Sequence, residues 1–598
     1  MSVLETPRLY FKGEVSWDPI VTNNYCQFYN ENTGATVLGS PDLKGTQRFR
    51  ANRAANVTAE GNWNPHGTHR VSFFNTEVHG FDLGDGTKVD DPFVSAAANL
   101  TGMLVDVEPF GSISSQIFFD SMHFGVDGGY RIYAPRTSRF VARYINFARN
   151  RKFGIIAGVA SVIWQTSFAK ADGLRIDSFD SPVLQKLAAA VAPDDVLGLT
   201  VRFNAYRTAY FGDPSLTRPA SKAAFDALAA QLKDGGFQPN PARSLLVGVI
   251  GLWRKKEPAQ EPGDRTLVAV AQGIASAFAR CDSGGKLTID LANTVPETGP
   301  DMTKQNLGTL KVLMVDPATN QPKPVATIPY DRYDASAYLA SSGIVTVPLV
   351  DVTEDEIKGK DLRITDKDDN TLLQELPLRA IPRTPDLYLD QNGAAVAAFQ
   401  VHNRGQAVGA GLAVNLYQMN ADSSSTGIAP VALQTDADGV AQISVSTVQA
   451  GLTAYVPSLS SDDVPSGGIN TQINTYQYVR VHPADADIAA VPPTFENVYS
   501  IVLSNWNAMA PCMDNWLDLS NPDQIKAYAA IVKRLTDPAN FESYRFMPVT
   551  RDMTPGQRKL LYNFLDGSGE HTESVAPEEI VHDAPDFVAL SRSLRRKG

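Results

Sequence analysis

The chain is expected to be a mostly β protein with some α (α+β) and several domains, on three observations. Its 598 residues, at roughly 100 to 200 per domain, correspond to about three to five domains with ample core. Its composition, 43% hydrophobic and 20% charged, is that of a globular chain, in which apolar burial can offset the entropy of ordering. Most segments either alternate polar and apolar residues with period two or run continuously apolar between Gly, Pro, Asn and Asp turns. Those are the patterns of half-buried and fully buried strands.

The elements can be justified in chain order. Residues 10–17, 69–74, 104–107 and 116–119 are rich in β-branched and aromatic side chains and predict strands. Ser181 followed by Pro182 predicts a helix start running to about residue 190, and 223–232 repeats the helical spacing. The apolar runs 196–203 and 245–253 predict strands buried on both faces. Residues 1–290 are therefore expected to form one large β-rich domain with helices packed on it. Short strands at intervals of about ten residues predict a small β-sandwich over 291–385, with hairpin turns at 316–322 and 366–370. A proline-rich joint, 376–385, leads to a second, Ig-like sandwich over 386–490. There Asp436, Asp438 and Gly439 are expected in a tight hairpin, because the twelve-residue calcium pattern with its closing Glu is absent.

After Pro493 the pattern turns helical, giving a helical domain over 491–566. An aromatic-rich helix is expected over 495–510. Asn521, Pro522 and Gln524 start a second with an apolar stripe of Ile525, Tyr528, Ala529, Val532 and Leu535. Thr554 caps a third running to about Phe564. Residues 567–598 are expected to be a polar tail.

Charge and cysteine usage narrow the partners. Lys and Arg total 53 against 65 Asp and Glu, a net charge of −12, which opposes nucleic-acid binding. The start of the chain lacks the basic-then-apolar pattern of a secretory signal, and the apolar stretch 153–164 is too short to span a membrane. Cys26, Cys281 and Cys512 show no C-x-x-C spacing. A cytoplasmic protein with reduced thiols and no transmembrane segment is expected.

Two residue groups are candidates for chemistry. Four of the eight histidines, His66, His69, His79 and His123, fall in one stretch. With Asp120 nearby they are candidate ligands for iron or zinc, imidazole being a common transition-metal ligand; each is otherwise a polar strand or turn residue satisfied by its neighbours. The aromatic segment bounded by Trp506 and Trp516 is a candidate wall for a flat apolar ligand, or else the inner face of packed helices. No G-x-S-x-G, H-E-x-x-H, Walker or G-x-G-x-x-G motif is present, so the catalytic residues are unknown.

Five blocks carry a further signal: RLYFKG at 8–13, DVLGLTV at 195–201, VGVIGLWR at 247–254, KLTIDLAN at 286–293, and FMPVTR at 546–551 before a helix. In this order the chain resembles the N-terminal region of the iminophenylpyruvate-dimer (chromopyrrolate) synthases of violacein and indolocarbazole biosynthesis. His69 and His79 fall where that family keeps histidines. The resemblance implies coupling of imines made from an aromatic amino acid by a partner flavin oxidase, and iron or haem as the cofactor. Those enzymes continue into a ferritin-like region with an E-E-x-x-H signature. That region is expected to be missing here, since the lone EEIVH at 578–582 sits in an acidic, proline-flanked tail with no bundle around it.

The expected function is thus an accessory or divergent component of a specialised-metabolite pathway that binds a small aromatic intermediate. The partner is an amino-acid oxidase or a separate ferritin-like protein. Whether the chain is itself an enzyme is left open; if it is, the chemistry is oxidative coupling of imines. The alternative is a non-catalytic binding or assembly module, oligomeric in solution, on the same scaffold.

Overall fold

The computed structural model describes residues 3–17, 29–30, 35–36, 70–86, 89–106, 115–150, 155–208, 242–282, 284–296, 304–420, 424–470, 472–504, 506, 517–549 and 551–567. Eight antiparallel strands close into a barrel. β1 (Arg8–Trp17) lies between β4 (Arg70–Asp82) and β12 (Ala242–Arg254). Beyond β4 come β5 (Ala98–Asp106) and β6 (Ser115–Gly125). Beyond β12 come β11 (Val196–Thr208), β9 (Ile155–Ala169) and β8 (Phe140–Asn150). The ring closes where Gln116 and Ile117 of β6 pair with Val141 and Phe140 of β8. The remainder of that β6 edge is covered by β7 (Arg131–Pro135), to which β10 (Arg175–Asp177) adds. Closure joins the two ends of the sheet, β6 and β8. A separate ribbon pairs β2 (Tyr29–Asn30) with β3 (Ala35–Thr36).

The alternation along β1 shows why the sheet closes this way. Leu9, Phe11 and Val15 point into a core shared with Trp164, Phe203 and Ile250, whereas Tyr10 faces outward with Val249 and Ile344. Gly248 lies directly beneath the Phe11 ring, in space that any Cβ would fill. The helix Pro182–Val191 buries Val183, Leu184, Leu187 and Val191 in the same core, and Ser181 caps it by accepting from Leu184 N, as its sequence predicts.

A second curled sheet follows. It comprises β13 (Arg265–Ala269), β14 (Ala277–Cys281), β15 (Lys286–Asp290), β16 (Leu310–Val315), β17 (Pro322–Ile328), β18 (Ile344–Pro348), β19 (Asp361–Thr365) and β20 (Thr371–Leu376). The order is β17-β16-β19-β20-β13-β14-β15-β18, and Val350 N donates to Val325 O (2.8 Å) where its two ends meet. Residues 291–385, expected as a sandwich, therefore lie mainly in one barrel-like sheet, together with three strands that precede them. Local turn spacing is the same for either architecture; closure depends on which distant edges meet. The turns at 316–322 and 366–370 do join hairpins, β16–β17 and β19–β20.

The expected proline-rich joint contains a strand, β21 (Leu378–Pro382), which pairs with β23 (Ala394–Asn403). The other side of β23 carries β27 (Val440–Ser446), and β24 (Gln406–Ala407) continues that β27 side. A facing sheet orders β22 (Asp386–Asp390), β29 (Gln477–His482), β28 (Gly451–Ser458), β25 (Ala413–Asn420) and β26 (Val431–Gln434). Ala380, Phe399 and Val401 of one sheet and Val414 and Leu416 of the other form a single core, so the two stack as a sandwich. Asp436 Oδ1 accepts from Asp438 N and Val440 N (both 2.9 Å) in a tight β26–β27 turn; the two strands pair in different sheets, so the turn joins the sheets and is not the hairpin expected.

In the helical part, Phe495–Val498 continues into a π-helical stretch, Tyr499–Leu503. Pro522–Ala527 and Ala529–Thr536 are separated at Tyr528, whose backbone is non-helical. Asn521 caps the first, but Gln524 Oε1 accepts from Asp518 N (3.1 Å) instead of closing a capping box. Thr554 and Gln557 do close one at Pro555–Leu565. The helix expected at 223–232 and the 568–598 tail lie outside the described residues, as do residues 505 and 507–510 of the expected 495–510 helix.

Candidate functional site

A cleft of about 590 Å³ opens where the barrel rim, the segment after β12, the approach to β22 and the helical part converge. The barrel contributes Gln116 of β6, residues 136–139 between β7 and β8, Val141, and Leu197 and Trp253 of β11 and β12; the others are 256–260, 383–386 and Glu542.

Arg139 is the clamp between these parts. Its Nε and Nη2 hold both oxygens of Glu542 (3.0 and 2.7 Å), while Nη1 donates to Gln116 Oε1 (2.6 Å) and to the Asp386 carbonyl (3.3 Å). Gln116 Nε2 in turn donates to the Tyr388 hydroxyl (3.1 Å). Behind it, Arg139 and Arg551 both lie over the Phe118 ring, 4.7 and 3.7 Å from its centroid. Burial works to raise the Glu542 carboxyl, but the Arg139 guanidinium outweighs it and holds it below the usual range. Such a bidentate, charge-assisted pair is rigid.

Two acids of the cleft behave in the opposite way. Burial pushes Asp386 up to about 7 against the pull of Arg139, and burial likewise pushes Glu257 up to about 7. Groups that titrate near neutrality can give or take a proton there. Asp386 is 4% exposed and Gln260 5% exposed, and neither Asp386 Oδ2 nor Gln260 Oε1 has a hydrogen-bond partner among the described residues. Arg383 is exposed at the mouth and donates to Gln400 Oε1 (2.9 Å); Lys256 beside it reaches Asp438 (3.2 Å). Trp253, Val141 and Leu197 supply apolar wall.

The residues singled out from sequence lie elsewhere. His79 is half-buried with its Nε2 unpartnered, and burial, helped by Lys12, lowers it to about 4. His123 contacts Ser121 (2.9 Å) and the Tyr133 ring. Among the described residues no three His, Cys, Asp or Glu side chains come together as a metal site. His66, His69, Trp516, Cys26 and Cys512 lie outside the described residues. Trp506 is buried in the core of the helices and donates to Asp552 (3.1 Å); it does not line the cleft. Burial raises the Cys281 thiol to about 11, which makes it a poor nucleophile. Among the described residues no helix is long and apolar enough to cross a membrane.

Fold and site together define a β-rich, multidomain protein with a small, mixed-charge cleft at the junction of its parts. No family model matches the chain. It is similar to a 2-imino-3-(indol-3-yl)propanoate dimerase from Chromobacterium violaceum, 23% identical over 406 residues, covering 65% of this chain. The chain spans about a third of that relative's length, 35% being aligned.

Proposed function

We propose that the protein is a divergent or accessory component of a specialised-metabolite pathway, and that its cleft binds an aromatic intermediate derived from an amino acid. The observation that carries this reading is the pairing, in one cavity, of an exposed arginine with a tryptophan-containing apolar wall. The relative's name specifies a ligand with a carboxylate, an imine and an indole. Arg383 and Lys256 are suited to the carboxylate. Lys256 is paired with an exposed aspartate, in a surface pair of little strength that a ligand can displace. Trp253, Leu197 and Val141 are suited to the ring.

The test uses the stable keto counterpart, 3-(indol-3-yl)-2-oxopropanoate, in isothermal titration calorimetry. The reading expects one site per chain, at least tenfold weaker binding in Arg383→Ala, and none in Thr384→Trp, which fills the mouth of the cleft. An absent heat signal, or equal affinity in all three proteins, would overturn it.

A further inference from the structure

The two unpartnered acceptors of the cleft point to a property of its ligand that neither the apolar wall nor Arg383 specifies. Asp386 Oδ2 and Gln260 Oε1 are buried, line the same cavity, and come from segments far apart in the chain, the start of β22 and the run into β13. An unpaired buried acceptor costs about 1–3 kcal/mol, and native structures rarely tolerate two together without a use for them. The missing partner of Gln260 Oε1, and of Asp386 Oδ2 once ionised, is a donor. A ligand carboxylate, a keto oxygen or a bare hydrocarbon ring offers none.

We propose that Asp386 and Gln260 form an N–H-recognition pair, so that the cleft selects ligands presenting nitrogen-borne protons, from an amine or imine beside the carboxylate or from the indole ring. This rests on the reading of the cleft given above. Arg139 and Arg136 from the β7–β8 connection, Lys256 and Glu257 after β12, Arg383 and Glu542 are the charged groups around Asp386. With Arg139 already clamped by Glu542, Asp386 keeps capacity for a ligand donor. When the ligand is an ammonium, the neutral carboxyl of Asp386 ionises on binding and its proton passes to the buffer. The elevated titration range of this carboxyl makes that release measurable near pH 7.

Four probes separate the two sources of N–H. Tryptophan carries both, its 1-methyl derivative only the amine, 3-(indol-3-yl)-2-oxopropanoate only the ring N–H, and the 1-methyl keto acid neither. Binding is measured by calorimetry to wild type, Asp386→Asn, Asp386→Ala and Arg383→Ala, in buffers of different ionisation enthalpy. The expected result is at least tenfold weaker binding of the probe with no N–H, collapse of that discrimination to about twofold in Asp386→Ala, and proton release with the amine probes in wild type and Arg383→Ala but in neither Asp386 variant. Asp386→Asn, which keeps the side-chain shape, guards against loss of fold. If all four probes bind wild type alike and Arg383→Ala weakens them equally, the N–H pair is refuted while the cleft stands. If none binds, both fall.

Discussion

At the residue scale, the molecule keeps a buried acid in a cleft at a cost to its own stability. Because Asp386 is raised in the folded state, the native chain holds more protons than the unfolded one between about pH 4 and pH 7, and stability falls as pH rises through that window. Asp386→Asn removes this loss, so the variant should be more stable than wild type at pH 8, with the advantage shrinking toward pH 4; denaturation midpoints across pH check it. His402 behaves oppositely. It is 4% exposed, contacts the Lys256 carbonyl (3.1 Å), and is lowered by burial to about 4. The unfolded chain binds the extra proton, so this contribution is present above about pH 6.5 and lost as pH falls toward 4. In His402→Gln the acid-side midpoints should fall less steeply than in wild type. A stabilising substitution at Asp386 that weakens ligand binding would be the usual exchange of stability for function at a site.

At the element scale, the strands were legible and their partners were not. Period-two alternation finds β1, and the continuous apolar runs find β11 and β12, because those patterns follow from which faces are buried. The meeting of β6 with β8 through two residue pairs leaves no local trace, and barrel closure could not be anticipated. The blocks that carry the family resemblance map onto β1, β11, β12 and β15, and onto Arg551 over Phe118. Most are packing residues, with Leu197 and Trp253 also lining the cleft, so the blocks speak chiefly for shared architecture. Gly248 shows why such blocks resist change. Gly248→Ala should cost about 1–3 kcal/mol by overpacking against Phe11, whereas Gly359→Ala, with open space around it, should cost little; chemical denaturation distinguishes them.

At the scale of the whole molecule, the cleft exists only because separate parts meet. Its residues come from the barrel, the β12–β13 connection, the approach to β22 and the helical segment, and no sequence window holds more than a few. The histidine cluster and the tryptophans drew notice because they are dense in sequence, whereas Asp386, Gln260 and Arg383 are ordinary until folded. The parts are held together by buried pairs such as Arg202 with Asp290, at 1% and 5% side-chain exposure, with Arg202 also donating to Ser342 O (2.7 Å). Arg202→Met should cost about 3–5 kcal/mol by stranding the aspartate, and Arg202→Met with Asp290→Leu should recover much of it; a double-mutant cycle on unfolding midpoints tests this.

The most direct test of the cleft as a ligand site is a crystal structure grown with 3-(indol-3-yl)-2-oxopropanoate. Density for the indole against Trp253 and Leu197, with the carboxylate at Arg383 and Lys256, is the predicted result. An empty cleft at saturating ligand, or the ligand ordered elsewhere on the molecule, would contradict the account.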